Sequence, residues 1–561
     1  MSIKTIQKSL KTQNIFGEII TLNNLFITEA IRDDENQIKQ LTGFSGSNAL
    51  LFITQQKSYL FTDSRYTLQA QKEVNLKQIE IIIQEKSLLQ TLIDFLKKQN
   101  LTPNHTITYN PWCLSPFFVT NLQNQLPNIS LTQSNTSSYN LTPSIAKTFS
   151  HIKKFSGSTT KEKIDLFVKF IKKQKLDSFL ITSPANSSWL INMRSNALEF
   201  SPIFRAYVLV NKDKTYKIFA NSTDYPQALP LETLEHHLKP IKKLGLDFNL
   251  TPIKILDFNY NIQNLKDPIT ELKSIKNKTE LEGTKEAHIR DGVAITKFLY
   301  WLSQNYTSKT ELDISNKLTS FKKEEKNYYS NSFNTISAFG SNGAIVHYTP
   351  TPKTNKTLKK GSLLLLDSGT QYYDGTTDIT RTIAIGTPTD EMKEKYTLVL
   401  KSHIALSSAI FPEKTSGEKL DILSRNILLK HNLNYAHGTG HGVGHFSNVH
   451  EGPNNISLTS NTNVALKKSM ITSIEPGFYK ENHYGIRIEN LYYITQYQKT
   501  KHLCFKPLTL VPFDKNLINP TLLTNEEKDY INTYHKEVLK SLKKHLSKLE
   551  LEWLKNQTTP I

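Results

Sequence analysis

Four acidic residues and a histidine stand in polar, glycine-rich segments of the chain, and they strongly limit what the chain can fold into. Asp367 follows a run of leucines, Asp378 and His441 lie among threonines and glycines, Glu475 precedes Pro476-Gly477, and Glu489 ends the segment Gly485-Ile486-Arg487-Ile488-Glu489. Carboxylates brought together in a core would repel one another, and bound cations remove that cost. The five residues are therefore predicted to bind two divalent metal ions, which implies hydrolysis by metal-activated water.

The spacing of the two aspartates favours a pair of neighbouring strands. Ser362–Leu366 is a short apolar run typical of a buried strand. Thr376–Ile385 alternates apolar and polar residues, as a half-buried strand does, and the dipeptide Asp374-Gly375 before it indicates a tight turn. Asp367 and Asp378 are therefore expected to face each other across a hairpin-like pair.

A second strand pair is predicted to carry the two glutamates. Met470–Ile474 ends just before Glu475, and Gly485–Ile494 passes through Glu489. Surface acids near turns are the alternative for any single motif, but five positions with their glycines in this order are far more specific. Four oxygen donors, one imidazole and no cysteine favour Mn²⁺ and, less strongly, Co²⁺, Fe²⁺ or Zn²⁺.

These motifs resemble those of the pita-bread metallopeptidases, above all the long, three-domain cytosolic form of aminopeptidase P (the Xaa-Pro aminopeptidases). Asn342–Tyr348 resembles the family's histidine segment, His437–His445 its HGTGHGVG stretch, and Asn448–Pro453 its NVHEGP stretch. Weaker resemblance lies outside the catalytic region, in Thr62–Tyr66, where Ser64 replaces the usual glycine, in Trp189–Arg194 and in Leu508–Pro512.

The resemblance implies a role for each metal-binding residue. Asp367 would bind one metal, and His441 with Glu475 would bind the other. Asp378 and Glu489 would bridge the two ions, which lie about 3.5–4 Å apart in such sites, and a water or hydroxide between them would be the nucleophile. Glu475 is also predicted to accept the proton of that water.

The resemblance also implies the residues on the substrate side. His450 is predicted to contact the substrate carbonyl and to stabilise the tetrahedral intermediate. His437 and His347 would line the pocket for proline and the leaving group, and His347 is also placed among the catalytic residues. Phe333 matches an aromatic position for the N-terminal side chain. Arg487 is grouped with the substrate-binding residues and is predicted to pair with an acidic ligand.

A chain of 561 residues is too long for one ordinary domain. The predicted fold class is α/β (α+β), with two mixed α/β, creatinase-like N-terminal domains at 1–150 and 151–272. A pita-bread catalytic domain at 273–500 and a helical tail at 501–561 are expected to follow. The Ser/Thr/Asn-rich segment Leu131–Ser144 is predicted to be a linker.

Three capping boxes predict helix starts. Thr159-x-x-Glu162 opens the second domain, and Thr279-x-x-Glu282 opens the catalytic domain. Thr524-x-x-Glu527 opens a tail that is predicted to be one long helix. Its apolar stripe must be buried, either on the chain's own catalytic domain or on a two-fold partner, and a homodimer is predicted because similar cytosolic enzymes form dimers. The stripe consists of Ile531, Tyr534, Val538, Leu542, Leu546, Leu549 and Trp553.

Charge and composition limit the other partners. The net charge is +19, but the lysines are spread along amphipathic helices rather than clustered, so no nucleic-acid partner is predicted. No apolar run approaches membrane-spanning length, so no membrane contact is predicted. Two cysteines and a first segment without an apolar core favour a cytoplasmic protein.

The resemblance implies a metalloaminopeptidase that releases the first residue from peptides with proline in second position. The bond before proline is a tertiary amide without an N–H, so cutting it calls for a site that recognises the ring and the free amine. A prolidase acting on Xaa-Pro dipeptides is the first alternative, and the extra N-terminal domains and the tail argue against it. A non-catalytic pita-bread binding module, or a metal-free hydrolase, is disfavoured because all five ligand positions are present.

Overall fold

The computed structural model of the chain describes residues 2–84, 86–99, 101–134, 146–221, 225–458 and 464–561. Most of the predicted linker Leu131–Ser144, from residue 135 onward, lies outside the described residues. The chain forms two compact units, the first made of residues 1–151, 158–198 and 203–269, and the second of 152–157, 199–202 and 270–561. The four predicted domain ranges stay predictions.

The first unit contains a mixed sheet in its N-terminal half. The central strands pair antiparallel, while β4, β5 and β6 add in parallel at the two sides, in the order β4-β3-β2-β1-β5-β6. These strands are β1 Gly17–Thr21, β2 Ala49–Thr54, β3 Ser58–Thr62, β4 Ile79–Ile83, β5 Thr106–Tyr109 and β6 Ser130–Gln133.

A second mixed sheet of the first unit has the order β11-β10-β8-β12-β13, and a short pair joins β7 to β9. Each of the two sheets has a separate apolar core on each of its faces. Their strands are β7 Thr148–Ser150, β8 Ser178–Ile181, β9 Met193–Ser195, β10 Tyr207–Asn211, β11 Tyr216–Phe219, β12 Leu244–Leu246 and β13 Ile262–Asn264.

The helices of this part of the chain begin at polar caps. Thr159 and Glu162 form the predicted capping box, because each side chain bonds the backbone N–H of the other residue. The helices are α1 Ile3–Thr12, α2 Gln37–Thr42, α3 Thr67–Glu73, α4 Leu88–Lys97, α5 Pro116–Gln125, α6 Lys153–Ser156, which belongs to the second unit, α7 Thr160–Lys173, α8 Pro184–Ile191 and α9 Leu234–Leu238.

The long first helix of the second unit begins earlier than predicted. Asn277, not Thr279, is the N-cap: its side chain accepts from the N–H of Glu280 at 3.0 Å, and the Glu280 carboxylate accepts from the Asn277 N–H. Thr279 therefore lies inside the first turn. The helices of this unit are α10 Ile269–Ser274, α11 Lys278–Asn305, α12 Glu311–Lys323, α13 Asp390–Ser407, α14 Gly417–Leu429, α15 Asn525–Leu542 and α16 Lys548–Gln557.

The strands of the second unit form small sheets that meet at the acidic residues. Their orders are β14-β17-β18, β15-β16-β19, β20-β27-β26-β23, β21-β22 and β24-β25. The strands are β14 Tyr328–Asn331, β15 Ile336–Phe339, β16 Ser362–Ser368, β17 Thr370–Tyr372, β18 Gly375–Thr376, β19 Ile379–Ile385, β20 Ile410–Pro412, β21 Gly440–His441, β22 Asn455–Ile456, β23 Ile471–Ile474, β24 Gly477–Lys480, β25 Tyr484–Arg487, β26 Asn490–Gln496 and β27 His502–Pro507.

Two strand predictions need correction. The segment 376–385 is not one half-buried strand but β18 and β19, and its polar residues Thr380 and Thr382 are fully buried because they bond buried partners rather than water. The segment 485–494 is likewise two strands. β25 pairs with β24 and β26 pairs with β23, so the backbone changes partner at Ile488 and Glu489.

The tail is neither entirely helical nor one helix. Residues 502–507 form strand β27, and the predicted long helix ends at Leu542. Ser547 starts a new helix because its hydroxyl and the Glu550 carboxylate form a second capping box. No helix in the described part of the chain is long and apolar enough to cross a membrane.

The apolar stripe of the tail packs on the chain's own catalytic unit. Its first four members, up to Leu542, are buried in one core with Tyr396 and Val399 of α13. Leu542 also contacts the helix at Gly292, where an added Cβ would lie 3.2 Å from a Leu542 methyl. Leu549 is 62% exposed because the chain turns before α16. Of the two predicted ways to bury this stripe, the fold therefore shows packing on the chain's own catalytic unit.

Leu542→Ala should lower the free energy of unfolding by about 2–5 kcal/mol, because it leaves a cavity in this core. Leu549→Ala is the matched control and should change it by less than about 0.5 kcal/mol. Urea unfolding followed by fluorescence measures both. Equal effects of the two substitutions would contradict the packing of the tail.

Candidate metal centre

The predicted ligands meet at one place in the second unit. One ligand atom each of Asp378, His441 and Glu489 lies within 4.8 Å of the others. His441 Nε2 is 3.5 Å from Asp378 Oδ2 and 3.4 Å from Glu475 Oε1. Asp367 lies close enough for the charges of Asp378 and Glu475 to raise its pKa. The structure thus brings all five residues together.

The strand pairing places the two aspartates near each other, but not directly opposite each other. Asp367 is on β16 and stands opposite Thr380 of β19. The same ladder pairs Ser368 with Ile379, so Asp378 lies one residue beyond its end. Asp378 is therefore a diagonal neighbour of Asp367, offset by two residues, whereas the sequence prediction had the two aspartates facing each other.

The remaining three ligands lie at the ends of short strands. His441 is the last residue of β21, Glu475 comes directly after β23, and Glu489 lies between β25 and β26. Backbone bonds tie these ends together: the Glu475 N–H donates to Thr439 O at 2.8 Å, and the Glu489 N–H donates to Thr380 O at 3.1 Å. Both glutamates are thus held by a segment other than their own.

Glycine is needed where these backbones approach closely. A Cβ on Gly440 would lie 2.0 Å from Ser473 O, and a Cβ on Gly442 would lie 2.2 Å from Glu451 O. Side chains at these two positions would push His441, which lies between them, away from the other ligands. The spacing of glycines around His441 is therefore a packing requirement of the site.

Arg487 is the buried cation behind the ligands. It is 2% exposed, and its Nη2 lies 2.6 Å from Asp367 Oδ2. Its Nε donates to Thr380 Oγ1 at 3.1 Å, and the Thr380 hydroxyl in turn donates to Glu489 Oε2 at 2.8 Å. Arg487 thus orients one ligand directly and a second one through Thr380.

His437 is held as a neutral imidazole. Its Nδ1 lies 2.8 Å from Gly438 O, which it bonds as a donor, so its Nε2 accepts from the Tyr479 hydroxyl at 2.8 Å. Burial lowers the pKa of His437 to about 4, and the positive charge of Arg487 contributes to this shift. Arg487 Nη1 donates to the same Tyr479 hydroxyl at 2.8 Å, which links His437 to the ligand network.

The other predicted substrate residues differ in how deeply they are buried and in what they contact. His450 is exposed, and its ring centroid lies 4.4 Å from that of His441. His347 is half-buried and follows Val346, whose carbonyl accepts from Arg487 Nη1 at 3.3 Å. Phe333 is half-buried beside Gly369, where an added Cβ would lie 2.8 Å from its ring.

The protonation of the cluster reflects its crowded charges. Burial raises the pKa of Asp367 to about 7 against the opposing effect of Arg487, and burial with the charge of Asp378 raises the pKa of Glu489 well above its ordinary value. Burial lowers the pKa of His441, but its bond to Asp378 and the charge of Glu475 outweigh this and raise it to about 9. Without bound cations, Asp367, Glu489 and His441 are therefore protonated at a pH below their raised pKa values.

The donor set fits two divalent metal ions. Asp367 Oδ1 and Asp378 Oδ1 are buried and have no hydrogen-bond partner among the described residues. A buried carboxylate oxygen without a donor is costly unless a cation binds it. With His441, Glu475 and Glu489, these aspartates supply oxygen and imidazole ligands of the kind that hard or borderline divalent ions prefer.

Sequence reasoning missed two hydroxyl groups that orient the ligands. Ser473 donates to Glu475 Oε1 at 2.9 Å and accepts from the His441 N–H at 2.9 Å. Thr380 joins Arg487 to Glu489. Both stand within two residues of a predicted ligand, and this closeness was the only sequence signal available.

A buried ion pair on α14 was also missed. Asp421 is fully buried and binds Arg425 one turn later, with Nε to Oδ2 at 2.7 Å. Asp421 Oδ1 accepts from Thr439 Oγ1 at 2.6 Å, and Arg425 Nη2 donates to His437 O at 3.2 Å. The pair thereby holds the segment before His441. An acid and an arginine four residues apart in an otherwise apolar helix segment are the sequence sign of such a pair.

Family models cover almost the whole chain. Residues 282–496 match metallopeptidase family M24, and residues 501–561 match the C-terminal region of that peptidase family. Residues 3–138 and 142–280 each match a creatinase/prolidase N-terminal domain.

Two relatives align from end to end. The chain is 34% identical to the probable Xaa-Pro aminopeptidase P of Laccaria bicolor, over 99% of this chain and 92% of the relative. It is 33% identical to Xaa-Pro aminopeptidase 1 of Dictyostelium discoideum, over 100% of this chain and 96% of the relative. The chain belongs to the Xaa-Pro aminopeptidase P family.

A solved structure shares the complete fold. The X-prolyl aminopeptidase of Caenorhabditis elegans, a cytosolic enzyme with a di-nuclear active site, matches with a TM-score of 0.91 and 29% identity, covering 100% of this chain and 98% of that one. The family predicted from the motifs is confirmed. So is the fold class of mixed α/β N-terminal domains followed by a pita-bread domain.

Asp378→Asn should lower the metal content of this family member and reduce its turnover at least about a hundredfold, because it removes one charge from the centre of the cluster. Elemental analysis and peptide hydrolysis measure the two effects. Asp390→Asn, which changes a fully exposed side chain, is the control and should alter neither. Near-normal turnover of the Asp378 variant after exhaustive chelation would contradict a dinuclear mechanism.

Metal binding should release protons near pH 6, where the high pKa values of Asp367, Glu489 and His441 keep these groups protonated. Cations bind the deprotonated forms, so affinity should rise with pH through the pKa values of Asp367, about 7, and of His441, about 9. Calorimetric titration in two buffers of different ionisation enthalpy counts the protons. A heat of binding at pH 6 that is independent of buffer would refute this account.

Proposed function

We propose that the chain is a metalloaminopeptidase that releases the N-terminal residue from peptides with proline in second position. The observation that carries the proposal is the convergence of Asp378, His441 and Glu489, with their ligand atoms within 4.8 Å of one another. This convergence occurs in a chain that aligns from end to end with Xaa-Pro aminopeptidases.

Five residues would hold two divalent ions. When bound, the ions lower the pKa of a water molecule and stabilise negative charge on the substrate carbonyl oxygen. Arg487 keeps Asp367 oriented and favours its ionised form. Mn²⁺ is the proposed metal, and Co²⁺, Zn²⁺ or Fe²⁺ would suit the same donors. The ligands are Asp367, Asp378, His441, Glu475 and Glu489.

Glu475 is the proposed proton acceptor. Burial raises its pKa, but the positive charges of His441 and Arg487 outweigh burial and keep that pKa below its ordinary value. The carboxylate is therefore ionised at neutral pH. Ser473 donates to its Oε1 and fixes its orientation, as a general base requires.

His450 is the proposed donor to the reacting carbonyl. It is exposed beside His441, so a substrate can reach it while lying against the ligands. An imidazole donor aimed at the developing oxyanion acts mainly in the transition state, where such a bond is strongest.

The proline ring and the first residue are assigned to other side chains. The neutral His437 and the half-buried His347 would line the pocket for proline and the leaving group, with His347 also close to the reacting bond. Phe333, beside Gly369 next to the aspartate strands, would contact the first side chain. Such a site needs no N–H from the scissile bond, which a proline peptide lacks.

The enzyme should cleave Ala-Pro-Ala at least about tenfold faster, in kcat/KM, than Ala-Ala-Ala, because its pocket is built for the ring. Acetylation of the amine should abolish cleavage. The dipeptide Ala-Pro is the control for prolidase activity and should be the poorer substrate. Chromatographic detection of the released first residue, which is alanine or, from the acetylated peptide, N-acetylalanine, measures all four rates. Comparable rates on the two tripeptides, or preference for the dipeptide, would overturn the assignment.

We also infer a cytoplasmic enzyme that forms a homodimer and acts on peptides, without nucleic-acid or membrane partners. The similar Caenorhabditis elegans enzyme is cytosolic, which supports the location. The tail stripe up to Leu542 is buried within its own unit, so the dimer contact is expected on another surface.

Light scattering of the full chain at micromolar concentration should give twice the chain mass of 64.2 kDa. The same measurement on Leu549→Ala should be unchanged, because that exposed side chain is not assigned to the interface. A mass of one chain would refute the dimer.

A further inference from the structure

A buried ionic cluster lies directly behind the segment that carries His450. Lys273, Lys276 and Glu451 are only 5%, 4% and 6% exposed. Lys273 Nζ lies 2.8 Å from Glu451 Oε2, and Lys276 Nζ lies 3.8 Å from Glu451 Oε1. None of these three residues is a proposed metal ligand or a proposed substrate contact.

The buried charges of this cluster destabilise the fold unless each one stays close to its partners. Burying three charges carries a large desolvation penalty, which only close and fully bonded partners offset. Lys276 Nζ also donates to Lys273 O at 3.1 Å and lies near the buried Glu280, so the two ammonium groups face two carboxylates. Loss of the Glu451 charge would leave two buried cations with one acid, so the segment that carries Glu451 is strongly held in place.

Glu451 is tied to the ligand segment as well as to the lysines. Its carboxylate accepts from Ser447 Oγ at 2.6 Å, and its N–H donates to Gly442 O at 2.8 Å. The Gly442 N–H donates to Asn454 O at 2.9 Å. An added Cβ on Gly444 would lie 2.7 Å from Glu451 Oε2. The segment 447–454 is thus fixed to the residues that follow His441.

His450 is the residue immediately before this anchor. Its ring is exposed, while the Glu451 side chain next to it is buried. The ring lies edge to face with that of His441, with centroids 4.4 Å apart. A shift of the Glu451 backbone would move His450 relative to the ligands, and a displacement of about 1 Å is enough to reduce a rate severely.

We infer that Glu451 is a positioning residue: Lys273 and Lys276 hold its carboxylate so that His450 points at the reacting carbonyl. This inference rests on the proposed function of His450. It assigns a kinetic role to a buried charge cluster that contains no proposed metal ligand and no proposed substrate contact.

Glu451→Gln is the direct test, because it keeps the side-chain shape and removes the charge. It should lower kcat on Ala-Pro-Ala by on the order of tenfold to a hundredfold and change KM by less than about threefold, because the lost positioning acts in the transition state. Metal content and far-UV circular dichroism should match those of the wild type, which separates this effect from loss of ligands or fold.

A double-mutant cycle with His450→Ala decides whether Glu451 acts through His450. If it does, Glu451→Gln in the His450→Ala background should cost less than about twofold in kcat, because the group being positioned is already gone. Multiplicative losses in the double variant would overturn the inference, since they would show that the two residues act separately.

Two further variants control for stability. Glu527→Gln removes the charge of another Glu–Lys pair, with Lys401 Nζ 2.6 Å away, and should leave kcat unchanged. Lys276→Met makes a milder change to the cluster and replaces Glu451→Gln if that variant does not fold. Lys276→Met should lower kcat less than Glu451→Gln does. That loss should likewise disappear in the His450→Ala background.

Failure of this inference is distinguishable from failure of the proposed function. A wild-type enzyme that does not cleave Ala-Pro-Ala faster than Ala-Ala-Ala would refute the proposed function. If the wild-type enzyme shows that preference, and a folded, metal-loaded Glu451→Gln variant has an undiminished kcat, only the positioning role of Glu451 is refuted.

Discussion

Repulsion among buried carboxylates is the constraint around which the catalytic unit is built. Asp367, Asp378 and Glu489 are 7%, 4% and 2% exposed, and Glu475 stands beside them. Arg487 offsets part of this charge through Asp367. Divalent cations complete the balance, which is why the groups hold protons in their absence.

The same constraint explains why several buried groups of the site have hydrogen-bonding partners, most of them from another element. Asp367 has Arg487, Glu489 has Thr380, and Glu475 has Ser473. On the substrate side, His437 has Tyr479. Short strands with frequent changes of partner bring these pairs together, and glycines allow their backbones to approach. Positions fixed in this way need little rearrangement when charge develops in a reaction.

Local sequence patterns predicted the parts of this fold that depend on neighbouring residues. The leucine run before Asp367 became a buried strand, and the Thr159 and Thr524 capping boxes formed as expected. The N-cap at Asn277 was missed because Thr279 two residues later offered an equally plausible box. The break at Ser547 was missed because the apolar spacing continues across it.

Contacts between distant segments were beyond reach of those patterns. The change of strand partner at Glu489, the Asp421–Arg425 pair behind His437 and the lysines behind Glu451 join residues whose closeness only the complete fold creates. The ligand residues could be predicted because chemistry restricts their type, whereas the residues that support them are ordinary polar side chains.

Anomalous diffraction from crystals of the manganese-loaded protein tests the central claim most directly. Two anomalous peaks are expected, and both metal ions should contact Asp378 and Glu489. Asp367 should bind one of the two ions, and His441 should bind the other. A single peak, or peaks away from these residues, in crystals of a protein that is fully active with that metal would contradict that claim.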